Sequence, residues 1–490
     1  MDTILVLCQS RRQSALIART LRYRQVYSLP LALDSRAETV LSYAPKGIVL
    51  SANDGMDNAL AQVDPALLSA GVPVLALGGM VPALCRFYGG EASPSACPRG
   101  AVTLGLEHDP LFTNISGGER VLRSLSDLTL PESLLPLATA TERPIGFRHR
   151  TLPLYAVQYP IERNDPDAAQ LLFNFASFIC GAAASWDEDA MIQLAVERIR
   201  EAAPEGRVLC AVSGGVDSAV CARLASLAVG DRLMCVFVDT GLFRQGEPES
   251  VISTFMDAMG LVVAHVDASE AFLRALSGVR SRDDKERIAA QLMTQVLIKQ
   301  LGYDPGIRAI VLGANLNDAL FGFSTSAEME SVKSTYNLCV CEPVRDLFKE
   351  EVRRLATALS LPDSIALRQP FPASGLALRI FGQVTPERLA DQTDLARRTA
   401  FFERLLPDPG CFLARDGGNP CGICSVSPER SGELPGWGEV VSLYTLPAYW
   451  GSGLGRALMD RALDALAAAG YANVCLWAFE ANGRACRFYE

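Results

Sequence analysis

Val208-Leu209-Cys210-Ala211-Val212-Ser213-Gly214-Gly215-Val216-Asp217-Ser218 decides how the chain is read. Five apolar residues run straight into a glycine pair, and Val220, Cys221, Leu224 and Leu227 then form one helical stripe. The order is strand, glycine loop, helix. Glycines let backbone approach an anion, N–H groups and the helix N-terminus point at it, and the Ser213 and Ser218 hydroxyls add donors. Asp217 can meet the magnesium that accompanies a polyphosphate. The Ser-Gly-Gly-x-Asp-Ser spacing is far more specific than an isolated glycine turn.

Outward from this loop, short apolar runs alternate with amphipathic segments: Ile4–Cys8, Gly47–Leu50 and Pro73–Leu77, then Leu233–Val238, Val262–Val266 and Ala309–Leu312. Runs this apolar are buried on both faces, so the fold class is α/β with two successive parallel sheets. The small-residue turn Gly181–Ser185 and a helix from Asp187 to Ala203 separate the sets. After about Gly382 the pattern changes to a charged helix, Pro386–Leu406, and a smaller α+β unit with strands at Cys411–Ala414, Gly422–Val426, Val440–Tyr444 and Asn473–Ala478 around a helix Gly455–Ala469. The expected domains are 1–184, 185–384, a helical linker 385–408, and 409–490.

At 490 residues the chain is long enough for about three domains. A net charge of −10 leaves no basic surplus for a nucleic-acid backbone, so no nucleic-acid partner is expected. The longest apolar run, Gly71–Cys85, is interrupted by Pro73, Gly78, Gly79 and Pro82, too broken to span a bilayer. Without a basic, apolar leader at Met1–Cys8, a cytoplasmic location is expected. The 14 cysteines are scattered singly, as reduced buried thiols would be. Cys421 and Cys424 have the spacing of half a zinc site, without a second pair.

The loop resembles the pyrophosphate loop of ATP pyrophosphatases, and later words narrow the resemblance to the GMP synthase family. These are Val238-Asp239-Thr240-Gly241-Leu242-Phe243-Arg244, His265-Val266-Asp267-Ala268-Ser269, Val332-Lys333-Ser334, Cys341-Glu342-Pro343-Val344-Arg345-Asp346-Leu347-Phe348-Lys349, and Pro370–Ile380. The resemblance implies ATP and magnesium as cofactors. ATP would lie on Ser213, Gly214, Gly215, Val216, Asp217, Ser218, Val238, Asp239, Gly313 and Asp318, with Asp217 carrying the metal through ATP and Asp217 and Lys333 catalytic. Family chemistry would be attack of a xanthosine monophosphate oxygen on the α-phosphorus of ATP, then displacement of AMP by ammonia. Partners would be a small nucleotide substrate and ammonia. Two departures bear on the acceptor: Lys285-Glu286-Arg287 stands where the family has Lys-Arg, and Thr335-Tyr336 where it has two histidines. The family's dimerisation domain does not follow the loop domain, which leaves the oligomeric state open. Cys339 and Cys341 keep sulfur transfer as an alternative, and a catalytically silent nucleotide-binding paralogue is another.

The first third resembles a class I glutamine amidotransferase, with Gly47-Ile48-Val49-Leu50-Ser51 as oxyanion strand and Gly71–Leu75 leading to the nucleophile elbow. Glutaminase chemistry needs a thiolate activated by a histidine. The elbow reads Ala76-Leu77-Gly78-Gly79-Met80, and Pro160 follows Val157-Gln158-Tyr159 where the histidine belongs. The histidines are His108, His149 and His265, none at that place. A retained scaffold without glutaminase activity is expected.

At the C-terminal end, Trp450-Gly451-Ser452-Gly453-Leu454-Gly455-Arg456 opens a helix, and Asn482, Ala485, Phe488 and Tyr489 follow. This resembles the acyl-CoA loop and the Asn-x-x-Ala-x-x-Phe-Tyr helix of GNAT acetyltransferases. The resemblance implies acetyl-CoA on Gly451, Gly453 and Gly455, with Tyr489 as proton donor to the thiolate. About 80 residues remain after Gly410, so an incomplete unit with low acetyltransferase activity, from gene fusion or truncation, is expected.

Overall fold

The loop-bearing strand Arg207–Val212 lies at the centre of its sheet in a computed structural model. The structure describes every residue except 54–58, 95–99, 123–124, 160, 162–164, 317, 319–337, 367, 369–374, 381–382, 394–409, 430–433, 435, 477–487 and 490. The chain forms two compact units. The first comprises Met1–Val238, Val251–Val266 and Met293–Phe371, the second Asp239–Ser250, Asp267–Leu292 and Pro372–Glu490.

The first sheet takes strands β1 (Ile4–Cys8), β2 (Ser28–Ala32), β3 (Gly47–Ala52) and β4 (Val74–Gly78). After the small β5 (Glu91–Pro94) come β6 (Gly100–Leu106) and β7 (Gly118–Leu122), then β8 (Ser126–Thr129), β9 (Leu134–Ala140), β10 (Arg143–His149) and β11 (Leu154–Val157). The order is β2-β1-β3-β4-β11-β10-β9-β6-β7, with β5 and β8 forming a separate pair. Strands β2, β1, β3, β4 and β11 are parallel, and β1, β3 and β4 are almost wholly buried, as their apolar runs require. The other half of the sheet is antiparallel, which the expectation of a purely parallel sheet lacked. The β9–β10 hairpin turns on Thr141 and Glu142, both at positive φ, where a turn signal would normally carry Asn-Gly.

The second sheet contains β12 (Arg207–Val212), β13 (Leu233–Asp239), β14 (Val263–Asp267), β15 (Ile307–Val311) and β16 (Cys339–Cys341), ordered β14-β13-β12-β15-β16. Strand β12 is parallel to both β13 and β15, and β15 to β16. The chain runs outward from β12 in one direction and then returns to its other side. That reversal makes the carboxyl ends of β12 and β15 a topological switch point, where α/β sheets bind ligands. The helix Glu188–Ala202, N-capped by Asp187, packs Met191, Ala195, Val196 and Ile199 inward beside this sheet.

The two sheets of this unit share one core. Leu316 and Phe348 belong to the same buried cluster as Ile4, Ala18, Leu21 and Phe175.

In the second unit, β17 (Cys411–Asp416), β18 (Asn419–Pro428) and β19 (Gly438–Thr445) are antiparallel, and β20 (Val474–Leu476) runs parallel to β19. The helix Leu454–Ala468 packs Leu458, Ala462 and Leu466 on Cys424 and Val440. Cys421 and Cys424 are both buried in β18. Of the charged helix expected over Pro386–Leu406, Pro386–Thr393 is helical, and the remainder lies outside the described residues. Among the described residues, no helix is long and apolar enough to cross a membrane.

Candidate active site

Strand β12 ends at Val212, Ser213–Gly215 form the loop, and the helix Val216–Val229 begins with Asp217 in its first turn. The loop is closed by its own serines. Ser218 Oγ accepts from Ser213 N at 3.1 Å and donates to Gly215 O at 3.0 Å, and the two hydroxyls stand 3.2 Å apart. Gly214 has φ +76°, and a Cβ there would lie 2.4 Å from Val251 Cγ2 and 2.9 Å from Arg368 Nη1. Only glycine fits without displacing both neighbours. Arg368 Nη1 also donates to Gly214 O at 2.8 Å, which steadies the turn.

From the neighbouring strand, Gly313 follows β15 and presses on the same helix start: a Cβ there would meet Ser218 N at 2.9 Å. Asn315 Nδ2 donates to Asp217 Oδ1 at 3.4 Å, and Asn315 N donates to Asp318 Oδ2 at 3.0 Å. Burial, with Asp217 and Glu342 nearby, raises the Asp318 carboxyl above its ordinary value despite the Asn315 N–H and Lys349. Lys349, first residue of the helix Lys349–Ala358, forms an ion pair with Asp217. Thus Asp217, Ser213–Ser218, Gly313 and Asp318 gather at the carboxyl ends of the central strands β12 and β15. Val238 lies near the end of β13, and Asp239, its last residue, accepts from Gly241 N at 2.8 Å within the second unit. Lys333 lies outside the described residues.

The glycine cradle and the helix start suit a polyphosphate, and Asp217 and Asp318 are the oxygen donors magnesium prefers. Among the described residues, no three His, Cys, Asp or Glu side chains are arranged to hold a metal, so magnesium here would need phosphate oxygens as well. Sequence reasoning missed Asn315, Lys349 and Arg368 as contributors, although Lys349 stands in a quoted motif. Cys341 is buried at the end of β16 and burial pushes its thiol up to about 12, whereas Cys339 is exposed.

The chain is 34% identical over 406 residues to a "GMP synthase [glutamine-hydrolyzing]" of Bacillus cytotoxicus, covering 79% of each chain. This chain belongs to the GMP synthase family. A second relative of that name, from Chlorobium chlorochromatii, is 34% identical over 412 residues, 79% of this chain and 80% of its own. The NAD synthase family model matches residues 190–389, and the acetyltransferase (GNAT) family model matches 378–490. A solved NMN synthetase from Francisella tularensis is similar at 20% identity and a TM-score of 0.31, over 45% of this chain and 94% of its own.

In this member of the GMP synthase family the elbow after β4 has no side chain. Gly78 has φ +59°, and the N–H of Gly79 donates to Ala52 O at 3.0 Å. A Cβ on Gly79 would stand 2.2 Å from Asn53 O. Cys85 is buried, donates to Glu91 O at 3.5 Å and Thr129 O at 3.6 Å, and has its thiol raised by burial. Beyond β11, Gln158 is tied to Ser126 through Oε1 at 2.7 Å and Nε2 at 2.9 Å, and Pro160 lies outside the described residues.

The C-terminal domain that matches the GNAT family model carries a glycine loop before its helix. Gly451 and Gly453 have φ +79° and +87°, and Gly453 precedes the helix Leu454–Ala468. Trp450 Nε1 donates to Thr445 O at 3.3 Å, holding the loop to the end of β19. A Cβ on Gly455 would lie 3.4 Å from the Phe488 ring, so Phe488 rests on the first helical turn, with the Tyr489 ring edge-on at 5.2 Å. Residues 482–487 lie outside the described residues.

Proposed function

We propose that the chain is an ammonia-dependent ligase of the GMP synthase type: it adenylylates a substrate oxygen with ATP, releases pyrophosphate, and aminates the activated carbon. The observation that carries this reading is Asp217 in the first turn behind the glycine loop, at the switch point, flanked by Asn315 and Lys349. The substrate oxygen bonds to the α-phosphorus as the bond to the β-phosphate oxygen breaks. Ammonia then adds to the carbon, AMP departs, and a proton is released. The N–H groups of Gly214, Gly215 and Val216 would receive the leaving pyrophosphate, with the helix N-terminus favouring its growing charge. Ser213 and Ser218 would orient it. Magnesium, held by Asp217 with Asp318 nearby, would neutralise the polyphosphate.

Xanthosine monophosphate is the acceptor this family implies, yet Glu286 and Thr335-Tyr336 replace basic groups, so we expect it to bind weakly. Each lost charge-assisted bond removes roughly 1.5–3 kcal/mol. The amidotransferase-like part is proposed to be a scaffold, since Gly78 and Gly79 offer no nucleophile. The GNAT domain is proposed to bind acetyl-CoA at Gly451, Gly453 and Gly455, with Phe488 bringing Tyr489 to that helix. Burial keeps the Cys341 thiol protonated and poorly suited to sulfur transfer, which leaves the exposed Cys339 as the thiol that alternative would need.

The deciding assay is pyrophosphate release from ATP with ammonium or glutamine as nitrogen source, with and without xanthosine monophosphate. Release supported by ammonium and not by glutamine is expected. No release under any condition would favour a silent nucleotide-binding role.

A further inference from the structure

We propose that Arg22, in the amidotransferase-like part, is a positioning residue for the phosphate site. Arg22 sits in the last turn of the helix Arg11–Tyr23, with its side chain 3% exposed. Its Nη1 donates to Glu351 Oε2 at 2.6 Å and Asp346 O at 2.7 Å, while Nε and Nη2 donate to Ser28 O at 2.9 and 2.7 Å. The guanidinium lies 5.0–5.4 Å from the Tyr27, Trp186 and Phe348 ring centres. Glu351 is equally committed: Oε2 also accepts from Phe348 N at 2.7 Å, and Oε1 from Trp186 Nε1 at 2.7 Å.

Phe348 is the N-cap of the helix whose first residue, Lys349, pairs with Asp217. Arg22 therefore fixes Glu351, Glu351 fixes the helix start, and the helix start fixes the cation beside the phosphate loop. Apolar packing would hold these surfaces together at least as well as a buried ion pair. The directed hydrogen bonds that converge on Glu351, from Arg22 Nη1, Phe348 N and Trp186 Nε1, supply something packing does not, a defined place for Lys349. A part of the chain without a nucleophile would thus still act on the reaction. This inference rests on the reading of Asp217 and Lys349 as part of an ATP site.

The test measures MgATP affinity by calorimetry, and kcat and KM for pyrophosphate release, on the full chain carrying Arg22→Gln, Arg22→Lys or Trp186→Phe. Asn174→Ala is the structural control: Asn174 is buried and donates to Leu111 O and Thr113 O, neither of which bonds to Arg22 or Glu351. Arg22→Gln is expected to weaken MgATP binding about tenfold, within the usual range of intersite coupling. Arg22→Lys should recover part of that, and Trp186→Phe should weaken binding severalfold. Asn174→Ala should lower the melting temperature without changing MgATP affinity. If Arg22→Gln does not fold, Trp186→Phe, which keeps the ion pair, decides. Wild-type affinity in folded Arg22→Gln and Trp186→Phe, or an equal loss in Asn174→Ala, overturns the inference while leaving the ATP site intact. Failure of the unmutated chain to bind MgATP overturns the site itself and this inference with it.

Discussion

Lys349 and Asp217, 132 residues apart in sequence, form an ion pair at the mouth of the glycine loop. Both side chains are about one-quarter exposed, so a ligand can reach them and the pair can open. A cation already placed where polyphosphate charge would develop requires little rearrangement in the transition state. Lys349→Gln should therefore reduce kcat/KM for pyrophosphate release by roughly 10²–10³-fold. Steady-state kinetics check this, and a change within twofold would remove Lys349 from the site.

Gly214 gives a second, steric prediction. Gly214→Ala places a Cβ at positive φ against Val251 and Arg368, at a strain cost of about 1–3 kcal/mol. The carbonyl held by Arg368 would also move. Denaturant unfolding should show that loss, and calorimetry should show ATP binding reduced beyond detection. A folded Gly214→Ala variant with normal ATP affinity would exclude the loop as the phosphate cradle.

Much of this site was legible in the sequence because local rules produce it. Apolar Val208–Val212, the glycine pair and the stripe from Val220 to Leu227 specify strand, loop and helix within one short segment. Hairpin β9–β10 was not legible, because Thr141 and Glu142 adopt positive φ without Gly or Asn to announce it. Strand β2 was hidden by Pro30, which is tolerated because β2 is the sheet edge. The roles of Arg22 and Lys349 depend on partners far along the chain, information that no local pattern contains.

The elbow yields a third prediction. Gly78→Cys would restore a thiol at the end of β4 but not the histidine that should activate it. Glutamate release from glutamine should stay at the no-enzyme level in the unmutated chain and in Gly78→Cys alike. Release well above that level by the unmutated chain would show that another group has taken over the chemistry.

Arg22→Ala also probes stability. It strands Glu351, 4% exposed in its side chain, with a buried charge and only the Trp186 and Phe348 N–H groups as donors. Losing one partner of a buried pair costs about 3–5 kcal/mol. Urea unfolding of Arg22→Ala, Glu351→Gln and the double variant should give a double-variant cost well below the sum of the singles. Additive costs would mean that the two residues do not act as a pair.

Asp318 sets a pH-dependent trade between stability and ligand binding. Its carboxyl is raised above the ordinary 3.8, chiefly by burial and then by Asp217 and Glu342. A raised acid binds its proton more tightly in the folded state, so its favourable contribution is complete below 3.8 and is lost as pH rises through the raised value. At pH 7 the ionised group opposes folding. Asp318→Asn keeps an oxygen to accept from Asn315 N and removes the charge, so the ligand-free variant should melt higher than the unmutated chain at pH 7 and show little gain near pH 3. The same change removes a charged oxygen that the proposed site would offer magnesium, so the rise in melting temperature on adding MgATP should shrink. Melting curves at both pH values, with and without MgATP, check the two halves together. A variant that melts lower at pH 7 without ligand would mean that the Asp318 charge is stabilising, contrary to its burial beside Asp217.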